Sequence, residues 1–301
     1  MNSRLPRVLI IGYGEMGHAM EYLLGDNHLL AIYDIHLPPG MPAIDFESEA
    51  ARADFVLLCV PTQPIEGLLK CLASVVQPHC ICISISKGLD DQGRTPAQIY
   101  QQVFAGQRYG FLYGPMISEE IRNGRYAFAQ LGCADKQIYD EVHSLFVGSK
   151  LYFQQCTDIA GISWSVILKN IYAIGFGIAD GMQFGDNMRG YLMVTAIEEL
   201  SEIVQFMGGE PKTPLRLAGL GDLITTATSA GSHHHELGCQ LARGELENLT
   251  GEGVHTLAMV EKYALFDIVR YPLCNFIADT IKSPLNIVQR VDQYLALRYK
   301  N

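Results

Sequence analysis

Charge is scarce in this sequence: only 18% of its 301 residues are Asp, Glu, Lys or Arg. What charge there is leans acidic, 32 against 22, for a formal net of −10. There is no run of Lys or Arg, so neither a nucleic-acid footprint nor a polybasic membrane patch is expected. An anionic substrate stays open, because a few local cations overrule the net field. The eight cysteines include no CxxC pair. Most lie inside apolar runs such as Leu58-Cys59-Val60 and Cys80-Ile81-Cys82-Ile83. That is the pattern of small buried hydrophobes in a reducing compartment, not of a disulfide frame or a zinc site. No stretch reaches the roughly 18 consecutive apolar residues of a membrane-spanning helix. Arg4 and Arg7 precede an apolar stretch, but Val8 to Ile11 is too short for the core of a signal peptide. A cytoplasmic protein is expected. Internal repeats are absent, and His233-His234-His235 is the one low-complexity tract.

Apolar residues make up 49% of the chain, which excludes disorder, collagen and coiled coil. A chain of this length is expected to form two domains of about 150 residues, each able to bury a core. In the first half, short apolar runs alternate with helical patterns. The runs are Val8–Ile11, Leu29–Tyr33, Phe55–Val60, Cys80–Ser84, Tyr109–Tyr113 and Tyr126–Leu131. Runs that are apolar throughout suit strands covered on both faces, hence a parallel sheet with helical crossovers. Near Cys156 the rhythm changes, and one helical pattern runs from Ile159 to Ala179 without a turn signal. Helical segments alone follow. The expected fold is α/β: a parallel-sheet domain over 1–155, then an all-α domain over 156–301.

Gly12-Tyr13-Gly14-Glu15-Met16-Gly17 follows the first strand directly and opens a helix. Dinucleotide binding asks for glycine three times there: for a tight turn, for close approach of backbone to pyrophosphate, and for helix–strand packing. The helix N-terminus then offers N–H groups and partial positive charge to the phosphates. The three glycines alone would also suit a plain turn. Here an acid, Asp34, ends the second strand, where a carboxylate accepts from the ribose hydroxyls and repels a 2′-phosphate. NAD is therefore favoured over NADP, although Asp34 also suits an ordinary strand-end turn.

Three further polar sites are not required by a fold alone. Lys87, in Ser86-Lys87-Gly88, follows the fourth strand at a carboxyl end of the sheet, where ligands bind in such folds. Lys169 and Asn170 interrupt the apolar helix, and Asp222 sits in the glycine-rich junction Gly219-Leu220-Gly221-Asp222-Leu223. A lone helical Lys usually lies on a solvated face, and an Asp before a helix often only caps it. Lys169 is flanked by Val166, Ile167, Leu168, Ile171 and Ile174, however, and a buried Lys without a role is costly. A second cation facing it would lower its pKa and suit it to acid–base work.

Together these residues resemble the soluble NAD(P)-dependent glycerol-3-phosphate dehydrogenases. Beyond the Gly12 fingerprint, the likeness takes in Val60-Pro61-Thr62-Gln63, Ser86-Lys87-Gly88-Leu89 and Gly114-Pro115 with Glu119-Glu120. It continues through Leu168-Lys169-Asn170, Asp180-Gly181, Gly185-Asp186-Asn187, Ala218-Gly219-Leu220-Gly221-Asp222-Leu223 and Glu252-Gly253. The Leu-Lys-Asn helix followed by Gly-x-Gly-Asp is specific to that family; the fingerprint is not. The resemblance implies a Rossmann-like dinucleotide-binding domain over 1–155 and an all-α substrate and catalytic domain over 156–301. It also implies reversible reduction of dihydroxyacetone phosphate, a small phosphorylated three-carbon substrate, with Lys169 as proton donor and acceptor. It assigns Lys87 and Asp222 to catalysis beside Lys169. It assigns Gly12, Gly14, Glu15, Met16, Gly17, Asp34, Lys87, Ser118 and Glu252 to the cofactor. Substrate falls to Lys87, Gly114, Asn170, Asp222, Ser232, His233 and His234. A homodimer is compatible with it, and neither nucleic acid nor membrane insertion is expected.

The departure from the family pattern lies at Ser232-His233-His234-His235-Glu236. The family has Ser-Arg-Asn followed by further basic residues, so His233 takes the position of the phosphate-gripping Arg and His234 that of the Asn. An arginine fork binds phosphate in two places and keeps its charge, whereas a histidine is partly neutral near neutral pH. A reductase of another small keto or hydroxy compound on the same frame is the alternative. Adjacent side chains on a helix point in different directions and no Cys or carboxylate recurs at ligand spacing, so no metal site is expected.

Overall fold

The computed structural model describes residues 4–229, 231–245 and 249–299, apart from the side chain of Asp26. The chain divides into two units, residues 1–90 with 94–159 and residues 91–93 with 160–301. The first unit thus extends past residue 155, and the short segment Asp91–Gly93 belongs with the second.

The first unit is built on seven strands: β1 (Arg7–Ile11), β2 (Leu29–Tyr33), β3 (Phe55–Leu58), β4 (Ile81–Ser84), β5 (Arg108–Tyr113), β6 (Ala127–Gly132) and β7 (Leu151–Cys156). They form one sheet in the order β2-β1-β3-β4-β5-β6-β7. Its helices are α1 (Glu15–Leu24), α2 (Phe46–Arg52), α3 (Ile65–Val75), α4 (Pro96–Val103), α5 (Ser118–Arg122) and α6 (Lys136–Leu145). Strands β3 and β4 are buried at every residue, as wholly apolar runs require. The strand order reverses at β1, which pairs in parallel with β2 on one side and β3 on the other. A ligand crevice is expected at the carboxyl ends of β1 and β3.

The sheet is not parallel throughout. β5 and β6 pair antiparallel, Leu112 opposite Leu131, because the chain returns directly beside β5 with only the five-residue α5 between them. Gly114 permits that return: a Cβ there would run into the Phe128 carbonyl. β7 lies at the sheet edge and alternates between buried and exposed residues, with Tyr152 turned outward. A search for wholly apolar runs passes over such a strand.

The second unit holds α7 (Ile159–Gly181), α8 (Gly185–Phe206), α9 (Asp222–Thr228), α10 (His233–Arg243), α11 (Glu252–Tyr263), α12 (Pro272–Lys282) and α13 (Ile287–Arg298), with no strand among its described residues. Every residue of α7 from Gly161 to Ala179 is buried. By length and composition α7 could cross a membrane, and 89% of its most apolar window is buried inside the protein, which makes it the core helix of this unit. Lys169 and Asn170 break the uninterrupted apolar run without lowering its mean hydropathy enough to matter. Glu199 on α8 reaches the start of α12, where it accepts from the N–H groups of Leu273 (2.7 Å) and Cys274 (2.9 Å) and from the Tyr172 hydroxyl (3.2 Å). Burial pushes its carboxyl up despite those bonds.

Helix α10 lies so close to α7 that no side chain fits between them. A Cβ on Gly238 would collide with the Ile174 carbonyl and lie 2.7 Å from the Gly177 Cα. Backbone atoms cannot step aside as a flexible side chain can. Gly238→Ala should therefore destabilise the protein by about 1–3 kcal/mol in urea unfolding. Gly67→Ala, on the exposed face of α3 with nothing within 4 Å of the added carbon, should be neutral or stabilising. Equal stability of the two variants would show that α10 moves away without cost.

Candidate active site

The chain leaves β1 at Gly12, whose φ of +93° is rarely adopted by L side chains, and a Cβ there would sit 2.5 Å from the Cys59 carbonyl oxygen. Gly17 packs on the Gly12 carbonyl without room for a side chain. Gly14 differs, since a Cβ on it would meet nothing within 4 Å. It precedes the first turn of α1, and no side chain caps that helix. Open space above uncapped N–H groups fits a pyrophosphate, which a helix N-terminus holds through those groups and its partial charge. Met16 packs partly buried against the core beneath.

Asp34 faces this turn. Its Oδ2 accepts from the Tyr13 N–H at 2.6 Å and its Oδ1 from the His36 N–H at 2.7 Å. The carboxylate therefore anchors the glycine turn to the end of β2. It is only half-buried, and each oxygen has a second lone pair for a ribose hydroxyl. Glu15 stands in the first turn of α1, where its Oε2 accepts from the Ser118 hydroxyl at 3.0 Å and from Arg122 at 2.5 Å.

Lys87 lies in the turn after β4, and its backbone is held firmly. The Thr62 hydroxyl lies 3.3 Å from both the Lys87 and the Gly88 carbonyl oxygens. Ser86 donates to the Val60 carbonyl at 2.5 Å and accepts at its own carbonyl from Tyr113 at 2.9 Å. The Val60–Gln63 and Ser86–Gly88 motifs are thus two halves of one support.

In the second unit, Lys169 is 5% exposed at the centre of α7. Its Nζ donates to the Thr226 hydroxyl at 2.5 Å and lies 3.3 Å from Asp222 Oδ2. Asp222 is itself 4% exposed and opens α9. Within this unit a carboxylate thus faces the lysine. It supplies the counter-charge without which a buried ammonium is costly. Thr226 sits one turn after Asp222 on the same face and donates to the Asp222 carbonyl at 2.7 Å. Asn170, 1% exposed, donates from Nδ2 to Glu252 Oε2 at 3.0 Å. Its Oδ1 is buried and has no partner among the described residues.

Glu252 begins α11, and the residues just before it meet the start of α10. Ser232 caps α10 by accepting the His235 N–H at 3.3 Å. His233 is exposed, and its Nε2 lies 2.8 Å from the Thr250 carbonyl oxygen. A carbonyl only accepts, so Nε2 carries a hydrogen. A Cβ on Gly251 would lie 3.1 Å from that same nitrogen. His234 stacks edge-on against His233, with centroids 5.8 Å apart. His235 turns to Asp180, its Nε2 being 2.7 Å from Oδ2. Burial alone would push Asp180 up, but the hydrogen bonds from Arg189 and His235 outweigh it and hold the carboxyl below the usual range. The three histidines thus serve different partners, and no cluster of three metal-ligating side chains occurs among the described residues.

Ser232, His233, Glu252, Asn170, Lys169 and Asp222 therefore form one connected series in the second unit. Gly12, Gly14, Glu15, Gly17, Asp34 and Ser118 gather at one end of the first. Gly114 has a packing reason for its identity. Sequence reading passed over Thr226, whose four-residue spacing from Asp222 was a usable signal. It also passed over Arg122 and the His235–Asp180 pair, for which spacing gives none.

The burial of Lys169 against Asp222 generates a stability test. Asp222→Ala leaves an uncompensated buried ammonium and should cost about 3–5 kcal/mol in urea unfolding. Adding Lys169→Ala to it should recover part of that loss. A double variant no more stable than Asp222→Ala would show that the two charges are not energetically coupled.

Comparison with known proteins places the chain in a family. The family model described as NAD-dependent glycerol-3-phosphate dehydrogenase N-terminus matches residues 31–139, and that for the C-terminus matches residues 158–292. A glycerol-3-phosphate dehydrogenase [NAD(P)+] of Sphingopyxis alaskensis is 31% identical, over 81% of this chain and 76% of its own length. One from Synechocystis is 27% identical over 98% of this chain and 95% of its own. The crystal structure of glycerol-3-phosphate dehydrogenase from Coxiella burnetii shares the fold, with a TM-score of 0.81 at 21% identity, covering 97% of this chain and 99% of that one. The chain belongs to the NAD-dependent glycerol-3-phosphate dehydrogenase family.

Proposed function

We propose that this protein interconverts dihydroxyacetone phosphate and sn-glycerol 3-phosphate with NAD as cofactor, Lys169 being the proton donor and acceptor. The observation that carries the reading is the Lys169 ammonium, buried on α7 and steadied by Asp222 at 3.3 Å and Thr226 at 2.5 Å. Bound NADH supplies a hydride to the ketone carbon. As the carbonyl oxygen gains negative charge, the Lys169 ammonium stabilises it and transfers a proton, giving the secondary alcohol. In the oxidation the neutral amine takes that proton back. Asn170 Oδ1, buried and without a partner among the described residues, is suited to accept from a substrate hydroxyl, and Glu252 holds the other end of that amide. Lys87, the cation of the first unit's Ser86–Gly88 turn, is assigned to substrate. The half-buried Asp34 carboxylate supports NAD over NADP, because a 2′-phosphate there would meet like charge. A cytoplasmic setting fits the eight free thiols, although Cys71 is exposed and Cys59 only half-buried.

A second reading, a reductase of an unphosphorylated ketone, is favoured by one observation. His233 stands where the family's phosphate-gripping Arg is expected, and its Nε2–H is already committed to the Thr250 carbonyl. The deciding experiment follows oxidation of NADH and NADPH with dihydroxyacetone phosphate beside a panel of unphosphorylated ketones. Faster turnover of an unphosphorylated ketone would replace the first reading by the second.

Two variants test the roles. Lys169→Ala should lower kcat by about 10²–10⁴-fold with NADH binding unchanged, since general acid catalysis is worth that much. A variant keeping a tenth of the wild-type kcat would remove Lys169 from the proton transfer. His233→Arg should lower KM for dihydroxyacetone phosphate at about pH 8 by roughly ten- to a hundredfold, the worth of an ionic hydrogen bond to phosphate. It should leave KM for an unphosphorylated ketone where it was. An unchanged KM for the phosphorylated substrate would show that the phosphate is held elsewhere.

A further inference from the structure

The glycine turn carries a charge that its chemistry does not ask for. Glu15 is the first residue of α1 and sits beside Gly14, where the open space fits a pyrophosphate. A carboxylate there opposes the partial positive charge of the helix N-terminus as seen by an incoming anion. Glu15 is also 70% exposed. One oxygen of that carboxylate is met from α5 by two donors, the Ser118 hydroxyl at 3.0 Å and the Arg122 guanidinium at 2.5 Å. The guanidinium is itself 38% exposed.

We infer that Arg122 sets the affinity for the cofactor by cancelling the charge of Glu15 at the pyrophosphate-binding turn. This rests on the reading of the first unit as the NAD site and goes beyond it, since no dinucleotide fingerprint calls for an arginine at this place. Arg122 is a positioning residue here: it holds the Glu15 carboxylate to the α5 side of the turn and neutralises it. An exposed ion pair adds little to stability, so its variants fold. What the pair controls is the field that a doubly charged pyrophosphate meets.

The test is the dissociation constant of NADH for the full chain, read by nucleotide fluorescence without substrate. Arg122→Ala should weaken binding by about tenfold, because it leaves Glu15 uncompensated beside the phosphates. Glu15→Ala in that background should restore most of the loss. The effect of Arg122→Ala should also shrink as salt is raised from about 0.02 to 0.5 M, since screening removes a charge effect but not a packing defect. Wild-type affinity in Arg122→Ala would overturn the inference, as would a loss that neither Glu15→Ala nor salt relieves. A wild-type chain that turns over its substrate yet loses no NADH affinity in Arg122→Ala would leave the proposed function standing and sink this inference alone. Failure of the wild type to bind NADH would overturn both.

Discussion

An ammonium group in the middle of a helix that is buried from Gly161 to Ala179 is a constraint the second unit must satisfy before it can satisfy anything else. Taking that charge out of water costs several kcal/mol even after relaxation, and mutual attraction offsets the cost only when a counter-charge and hydrogen bonds are placed well. Asp222 and Thr226 provide both from one turn of α9. For Asp222 to begin a helix at that spot, the chain before it must arrive tightly, and the single π-type turn Leu217–Gly221 packs against Pro214 where no side chain fits on Gly219. Asn170 imposes the same kind of demand one residue on. Its amide needs Glu252 at the start of α11, and Gly253 lets that helix close on the Asn170 backbone. The starts of α9 and α11 are therefore placed by two adjacent polar residues of α7.

The task proposed for the first unit is different, the binding of an anion by backbone. Its turn suits that task because Gly12 accepts a strained φ, Gly17 lets α1 approach, and Gly14 leaves space. Asp34 pins the turn through the Tyr13 N–H, so the residue that suits a ribose also shapes the loop beneath it. Structural and functional readings of Asp34 need not compete. The same dual use appears where Ser86, Thr62 and Tyr113 clamp the backbone around Lys87.

Much of this was legible in the residue order. Wholly apolar runs revealed the strands covered on both faces, and the unbroken pattern after Ile159 revealed the core helix. The antiparallel return of β6 was not legible, because direction depends on how the connection packs and not on the apolarity of the strand. β7 escaped for the opposite reason: an edge strand with one exposed face dilutes the apolar signal. In the site, Lys169, Asn170 and Asp222 stood out because each is polar in an apolar or glycine-rich setting. Arg122 and His235 did not, since each is an ordinary polar residue on its own helix, and its meaning comes from a partner over fifty residues away.

His233 shows where a motif departs and what geometry adds. A neutral imidazole has one donor and one acceptor nitrogen, and the Thr250 carbonyl at 2.8 Å claims the donor. What is left to face a substrate is then an acceptor, which a phosphate oxygen repels. Only the doubly protonated ring can donate to phosphate and to Thr250 together. An arginine in this place has five N–H donors and can serve both partners at any working pH. If the start of α10 holds the phosphate as proposed, the substitution therefore removes donors from that contact and not only a fixed charge. The pair formed by Lys169 and Asp222 is buried, whereas His233 is exposed. In the proposed reading, proton transfer and substrate choice thus fall to different residues, so that a change at the start of α10 retunes the second and leaves the first intact.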